Sequence, residues 1–208
     1  MKKSQPLVIT ISRQLGCGGA YIGQQLAKKL KINYADHEII ATMAKQLSVL
    51  EKDLESRDEK IQTLWESFLQ NSAYAPEVYF PTSYKVVLTD RDLYLVQKEV
   101  IERIASEKSS VIIGRCGFHI LRNNPNRVSI FLHADKSFRA QRIQEMQKVS
   151  AKEAEEMIEK SDKNRARYIN EFTKKTWTDA THYELSIDTG KIGVDNVVEL
   201  ILSYLKLR

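Results

Sequence analysis

The chain has 208 residues, of which 42% are hydrophobic and 28% charged, with a formal net charge of +5. That length supports one sizeable domain with its own core, and no apolar run approaches the ~18 residues of a membrane-crossing helix. Two cysteines, Cys17 and Cys116, make neither a disulfide framework nor a zinc site with the four scattered histidines.

In chain order, Leu7 to Ile11 is a β-branched apolar run that predicts a buried strand. The run is too short for the apolar core of a secretory signal followed by a cleavage site, so a reducing, cytoplasmic location is expected. Ser12 to Gly19 is a glycine-bearing loop, and from Ala20 to Leu30 the apolar positions Ile22, Leu26, Ala27 and Leu30 fall at helical spacing. Asn33-Tyr34-Ala35 reads as a short strand, followed by helical character from Ile39 to Leu50.

Residues 51–90 break the pattern. A charged opening, Glu51 to Lys60, gives way to Leu64, Trp65, Phe68 and Leu69, then to Tyr74, Pro76, Tyr79, Phe80, Pro81 and Tyr84. This reads as an insertion beside the sheet, part helix and part loop. Its aromatics admit two readings: stacking on a base, or packing against a second copy of the chain or the domain's own flank. No base-reading polar residue accompanies them, which favours packing or a homo-oligomer contact.

Periodicity returns with Leu93, Val96, Val100, Ile101 and Ile104. Strands are expected at Val111–Ile113, Val128–Leu132 and Tyr183–Asp188. A long charged helical region spans Lys136 to Lys175, and Val194 to Leu205 forms an amphipathic C-terminal helix. Strands alternating with helices predict an α/β fold whose parallel sheet is covered on both faces. Ligands of such sheets bind outside the strand carboxyl ends, where Ser12–Gly19, Gly114–Gly117 and His133–Asp135 lie.

A strand, a glycine-rich turn and a helix start form a phosphate site, because the glycines bring backbone N–H groups close and the helix terminus adds positive potential. The loop reads Ser12-Arg13-Gln14-Leu15-Gly16-Cys17-Gly18-Gly19. Set against G-x-x-x-x-G-K-[ST], Arg13 takes the place of the first glycine and Gly19 that of the lysine, while the magnesium-binding hydroxyl falls near Tyr21. Arg13 is the nearest cation, and a guanidinium contacts phosphate oxygens bidentately. Cys17 lies near a helix N-terminus, a place that can lower a thiol's pKa, although a small residue packed in the turn is the commoner role.

Thr10-Ile11-Ser12-Arg13-Gln14-Leu15-Gly16-Cys17-Gly18-Gly19 resembles the opening motif of the cytidylate kinase-like family. So, in order, do Tyr34-Ala35-Asp36-His37-Glu38-Ile39-Ile40, Val111-Ile112-Ile113-Gly114-Arg115-Cys116, Asp162-Lys163-Asn164-Arg165-Ala166-Arg167-Tyr168, Trp177-Thr178-Asp179 and Tyr183-Glu184-Leu185-Ser186-Ile187-Asp188-Thr189. The resemblance covers most of the chain and is weakest over residues 51–90. It implies a three-layer P-loop NTPase fold forming one domain over residues 1–208, with the insertion at about 51–90 and a helical lid at about 136–176. It further implies an ATP-dependent, nucleoside monophosphate kinase-like phosphotransferase that uses ATP and Mg2+, with no metal held by residues identifiable here. The chain departs from cytidylate kinases in lacking the loop lysine, in carrying Cys116 where they have aspartate, and in placing Thr42 near an expected arginine.

Phosphoryl transfer needs positioning and cations on developing charge. The expected catalytic residues are Arg13, Arg139, Arg142, Arg165 and Arg167. Ser12, Gly16, Cys17, Gly18 and Gly19 are expected to hold the nucleotide phosphates, and Asp36 and Arg115 the acceptor. Asp36 serves equally as the N-cap of the helix beginning near His37. The alternative is a non-catalytic nucleotide or phosphate sensor that lost the loop lysine. The basic balance suits anionic partners, but cations interspersed with acids and the lack of a reader motif disfavour nucleic acid. The expected partner is a nucleotide substrate, with no membrane association.

Overall fold

Short β-branched runs build most of the sheet; Gly114 follows β3, and the capping carboxylates Asp36 and Asp188 end β2 and β5. The protein is described by a computed structural model covering residues 5–50 and 89–208. Its elements are β1 (Val8–Arg13), α1 (Gly19–Leu30), β2 (Asn33–Ala35), α2 (His37–Leu50), α3 (Asp90–Glu107), β3 (Ser110–Ile113), α4 (Gly117–Ile120) and β4 (Arg127–His133). They continue with α5 (Lys136–Gln147), α6 (Ala151–Thr173), a 3-10 turn (Ala180–His182), β5 (Leu185–Asp188), α7 (Thr189–Ile192) and α8 (Val194–Leu207). The aromatic insertion, Tyr74 to Tyr84, and the charged stretch before it lie outside the described residues.

The five strands run parallel in the order β2-β3-β1-β4-β5. Alternate side chains enter two cores, as the two-residue strand period requires. Ile9 and Ile11 of β1, Val111 and Ile113 of β3, and Val128, Ile130 and Leu132 of β4 pack with Ile22 and Leu26 of α1 and Val197, Val198 and Ile201 of α8. Val8, Ile112 and Phe131 point the other way, into a core with Met43 and Leu47 of α2 and Val100, Ile101 and Ile104 of α3. The architecture is the three-layer α/β sandwich expected from the sequence.

Helix starts are chemically marked. Thr89 accepts from Asp92 N–H while the Asp92 carboxylate accepts from Thr89 N–H, and Ser150 and Glu153 repeat this capping box at α6. The Ser150 cap, with left-handed Lys148 just before it (φ 58°), divides the region read from sequence as one long helix into α5 and α6.

One feature of register positions the site. β1 pairs with β4 as far as Arg13↔Leu132 but with β3 only as far as Ile11↔Ile113. Ser12 and Arg13 therefore extend past the end of β3, at the middle of the sheet, where parallel α/β proteins open their ligand crevice.

Candidate functional site

The turn from β1 into α1 is held from outside and left open inside. Gln14 N–H donates to Leu132 O at 3.0 Å. Gly16 (φ 89°) and Gly18 (φ 75°) adopt left-handed backbone, and a Cβ at Gly16 would meet the Arg139 carbonyl oxygen at 2.8 Å. Among the described residues the amides of Gly16, Gly18 and Gly19 have no hydrogen-bond partner. The first turn of α1 carries no acidic residue. Unpaired donors at the start of a twelve-residue helix fit a polyphosphate.

Arg139 and Arg142 of α5 clasp this loop from behind. Arg139 is 8% exposed at its side chain and donates to Ala134 O at 3.0 Å, Leu15 O at 3.3 Å and Asp162 Oδ2 at 2.6 Å. Arg142 Nε donates to Gly16 O at 3.1 Å. From α6, Asp162 closes the clasp, its Oδ1 accepting from Leu15 N–H at 3.0 Å and from Arg165 at 3.3 Å. Asp162 was not among the expected site residues, since one acid in a charged helix carries no signal of its own beyond its place three residues before Arg165.

On the open side, a cleft of about 610 Å³ is lined by Ser12 and Arg13 of β1, Gly114, Arg115 and Cys116 after β3, Asn164, Arg165, Arg167, Tyr168 and Phe172 of α6, and Trp177. The geometry thus brings Arg13, Arg115, Arg165 and Arg167 to one cavity and places Arg139 and Arg142 on the loop beside it. Arg115 has left-handed backbone (φ 47°), and its guanidinium carbon lies 5.3 Å from the centre of the Tyr168 ring, a cation–π contact. Its buried Nε has no partner among the described residues. Arg167 is exposed at the rim.

Burial, followed by the charge of Arg165, pushes the Arg13 guanidinium down to about 10, while Asp36 and Tyr34 act in the opposite sense. Arg165 is also lowered, by burial first, against the opposing pull of Asp162. Concentrated, poorly hydrated cations of this kind gain from an incoming anion.

Asp36 caps α2, its Oδ1 accepting from Ile39 N–H at 3.1 Å. Ser12 lines the cleft near Tyr183, whose hydroxyl donates to Trp177 O at 2.7 Å. The Cys17 side chain is fully buried in the α1 core, and burial pushes it up to about 11, opposite to the lowering that a helix N-terminus gives an exposed thiol. Its backbone N–H donates to Gln14 O at 3.4 Å, so Cys17 shapes the turn rather than offering a ligand a group of its own.

Among the described residues, the motif's hydroxyl position offers no ligand for a protein-held magnesium ion. Ala20 follows Gly19 in the loop, and the Tyr21 hydroxyl is engaged with Asp195 at 2.7 Å on an exposed face. Among the described residues no group of three or more His, Cys, Asp or Glu side chains could hold a metal. No described helix is long and apolar enough to cross a membrane.

Comparison with known proteins fits this geometry. The model of the cytidylate kinase-like family matches residues 8–191. A cytidylate kinase of Saccharolobus islandicus strain Y.G.57.14 is 33% identical over 113 residues, covering 54% of this chain and 59% of that protein. A cytidylate kinase from strain M.16.4 is 32% identical over 111 residues, covering 53% and 58%. The chain thus spans somewhat over half the length of these curated relatives. An uncharacterized protein from Eubacterium ventriosum superposes with a TM-score of 0.73 at 27% identity, covering 97% of this chain and 99% of that one. A shikimate kinase from Bacteroides thetaiotaomicron shares the fold, with a TM-score of 0.51 at 13% identity and coverage of 96% and 98%.

Proposed function

Because the chain belongs to the cytidylate kinase-like family, we propose that it is an ATP-dependent phosphotransferase whose acceptor is a nucleoside monophosphate. The observation that carries this reading is the convergence of Arg13, Arg115 and Arg165, from three separate segments, on the cleft beside a loop of unpartnered amides. The β- and γ-phosphates of ATP would lie on the amides of Gly16, Gly18 and Gly19, and the acceptor phosphate in the cleft toward Arg115.

An acceptor phosphate oxygen then attacks the γ-phosphorus. The bond from that phosphorus to the β–γ bridging oxygen breaks, and ADP leaves with the electron pair. Arg13 and Arg165 stabilise the charge spread over the transferring group, which is most of what this reaction asks of a protein. Arg139 and Arg142 hold the loop in shape for it. Magnesium, which shields nucleotide phosphates in such reactions, would arrive with ATP as part of the substrate. The α5–α6 region would serve as the lid, and the reaction would take place in the cytoplasm, where ATP is supplied.

The test is ADP formation from MgATP with each common ribo- and deoxyribonucleoside monophosphate, with Arg165→Ala as control. Turnover with one acceptor is expected, falling about 10²-fold or more in the control while ATP affinity changes far less. Equal loss of turnover and affinity would remove Arg165 from the chemistry. The missing loop lysine and loop hydroxyl favour a second reading, a nucleotide sensor without turnover. ATP binding with no ADP from any acceptor selects it.

A further inference from the structure

The loop of this protein lacks a lysine but not a cation. Arg13 replaces the first glycine of the motif and Gly19 replaces its lysine, and the two changes meet in space. A Cβ at Gly19 would lie 2.7 Å from Arg13 Cγ and 3.0 Å from Arg13 Cβ. The stem of Arg13 therefore fills the volume through which a side chain at position 19 must leave the helix. Its head runs on to Gly114, where a Cβ would lie 2.3 Å from Arg13 Nη1. Gly114 has φ 77°, so this position is closed to a side chain on two counts.

Two glycines are thus fitted to one side chain, Gly19 under its stem and Gly114, far off in sequence, under its head, and β1 extends past β3 to carry it. The charges of Tyr34 and Asp36 favour the Arg13 guanidinium, but among the described residues no salt bridge to it at contact distance is formed. A structural arginine this enclosed is ordinarily held by carboxylates or carbonyls. This one faces the cleft, beside the unpartnered loop amides.

We propose that Arg13 and Gly19 are a reciprocal exchange of the motif's first glycine and its lysine, so that the phosphate-contacting cation of this loop is delivered from β1 rather than from α1. The inference rests on the phosphotransferase reading for its ligand, an ATP-type polyphosphate, and extends it by assigning the cation. A guanidinium offers two parallel N–H donors where an ammonium is a point charge. It can therefore bridge oxygens of neighbouring phosphoryl groups, which suits a loop with no hydroxyl at the motif's metal-binding position.

The experiment measures binding by calorimetry, with ATP and with inorganic tripolyphosphate, in the absence of any acceptor. The proteins are the wild type, Arg13→Gln, Arg13→Gly and the double variant Arg13→Gly/Gly19→Lys, each checked for folding by thermal denaturation. Arg13→Gln is expected to stay folded and to weaken both ligands about 10²-fold. The double variant is expected to bind at least about tenfold more tightly than Arg13→Gly, because the lysine enters the vacated volume. Arg13→Gln binding within about threefold of wild type overturns the proposal. So does a double variant that gains nothing over Arg13→Gly, or one that unfolds while Arg13→Gly folds, since the space then does not accept a lysine. Wild-type protein that binds neither ligand overturns both the proposal and the kinase reading. Binding without turnover overturns the kinase reading alone, and the variants still decide the exchange.

Discussion

Cys17 and Cys116 show how far a residue's surroundings outweigh its type. Burial pushes Cys17 up to about 11 and Cys116 to about 12, from an ordinary value of 9.0. The folded chain therefore keeps two protons that the unfolded chain releases. Their contribution to stability is complete below about pH 9 and is lost as the pH rises through 11 to 12. Arg13, lowered to about 10, acts in the opposite sense, but only above that pH. Urea midpoints are expected to fall between about pH 8.5 and about pH 10.5, and a flat or rising profile would contradict the assignment. At about pH 8 a thiol-specific reagent is expected to label neither cysteine until the chain is denatured. Gly16 makes a second residue-scale case. Gly16→Ala places a Cβ on the Arg139 backbone at a positive φ, and a loss of about 1–3 kcal/mol is expected in denaturant titrations. The glycine was legible in the sequence. Its reason, the backbone of α5 lying behind it, was not, because 123 residues separate Gly16 from Arg139.

At the scale of elements, α6 is where the sequence was least informative. Its charges read as a solvated helix or a lid, and nothing in them marks the one carboxylate that faces the loop. Asp162 joins Leu15 N–H, Arg139 and Arg165. Asp162→Ala leaves the enclosed Arg139 without its charge partner. A loss of about 3 kcal/mol is expected, well above the near-zero effect of removing an exposed pair such as Lys29–Glu199; equal small effects in chemical denaturation would mean that the clasp contributes nothing. The strands were easier to read, since runs such as Val111-Ile112-Ile113 are apolar on both faces. α4 and α7, each four residues long, carry too little periodicity to be seen. The extension of β1 to Arg13 was hidden because Ser12 and Arg13 look like loop residues, and only pairing with β4 makes them strand.

Over the whole molecule, the parallel sheet and its ligand edge followed from alternation and loop chemistry, but the strand order and the depth of the cleft did not, since the one depends on long-range pairing and the other on how α6 lies across the strand ends. Ile112 sits at 0% exposure in the centre of that sheet; Ile112→Ala is expected to cost about 2–5 kcal/mol by urea denaturation, with the cleft chemistry unchanged in the protein that remains folded. The clasp has a mechanical meaning as well. α6 is 23 residues long, with Asp162 its twelfth, so the helix is a lever some 34 Å in length pinned near its midpoint. Tyr168 and Phe172, on one arm, wall the cleft, while Glu155 and Glu159, on the other, grip Lys136 of α5. A loop ligand that displaced Asp162 would shift both arms of this helix, so its effect would reach the cleft wall through α6 as well as through the reacting phosphates themselves. Loop and cleft ligands should therefore alter each other's affinity by the same factor, and substituting both glutamates should reduce that factor while leaving each site's own contacts in place. Independent binding of the two would show that α6 does not pivot at Asp162.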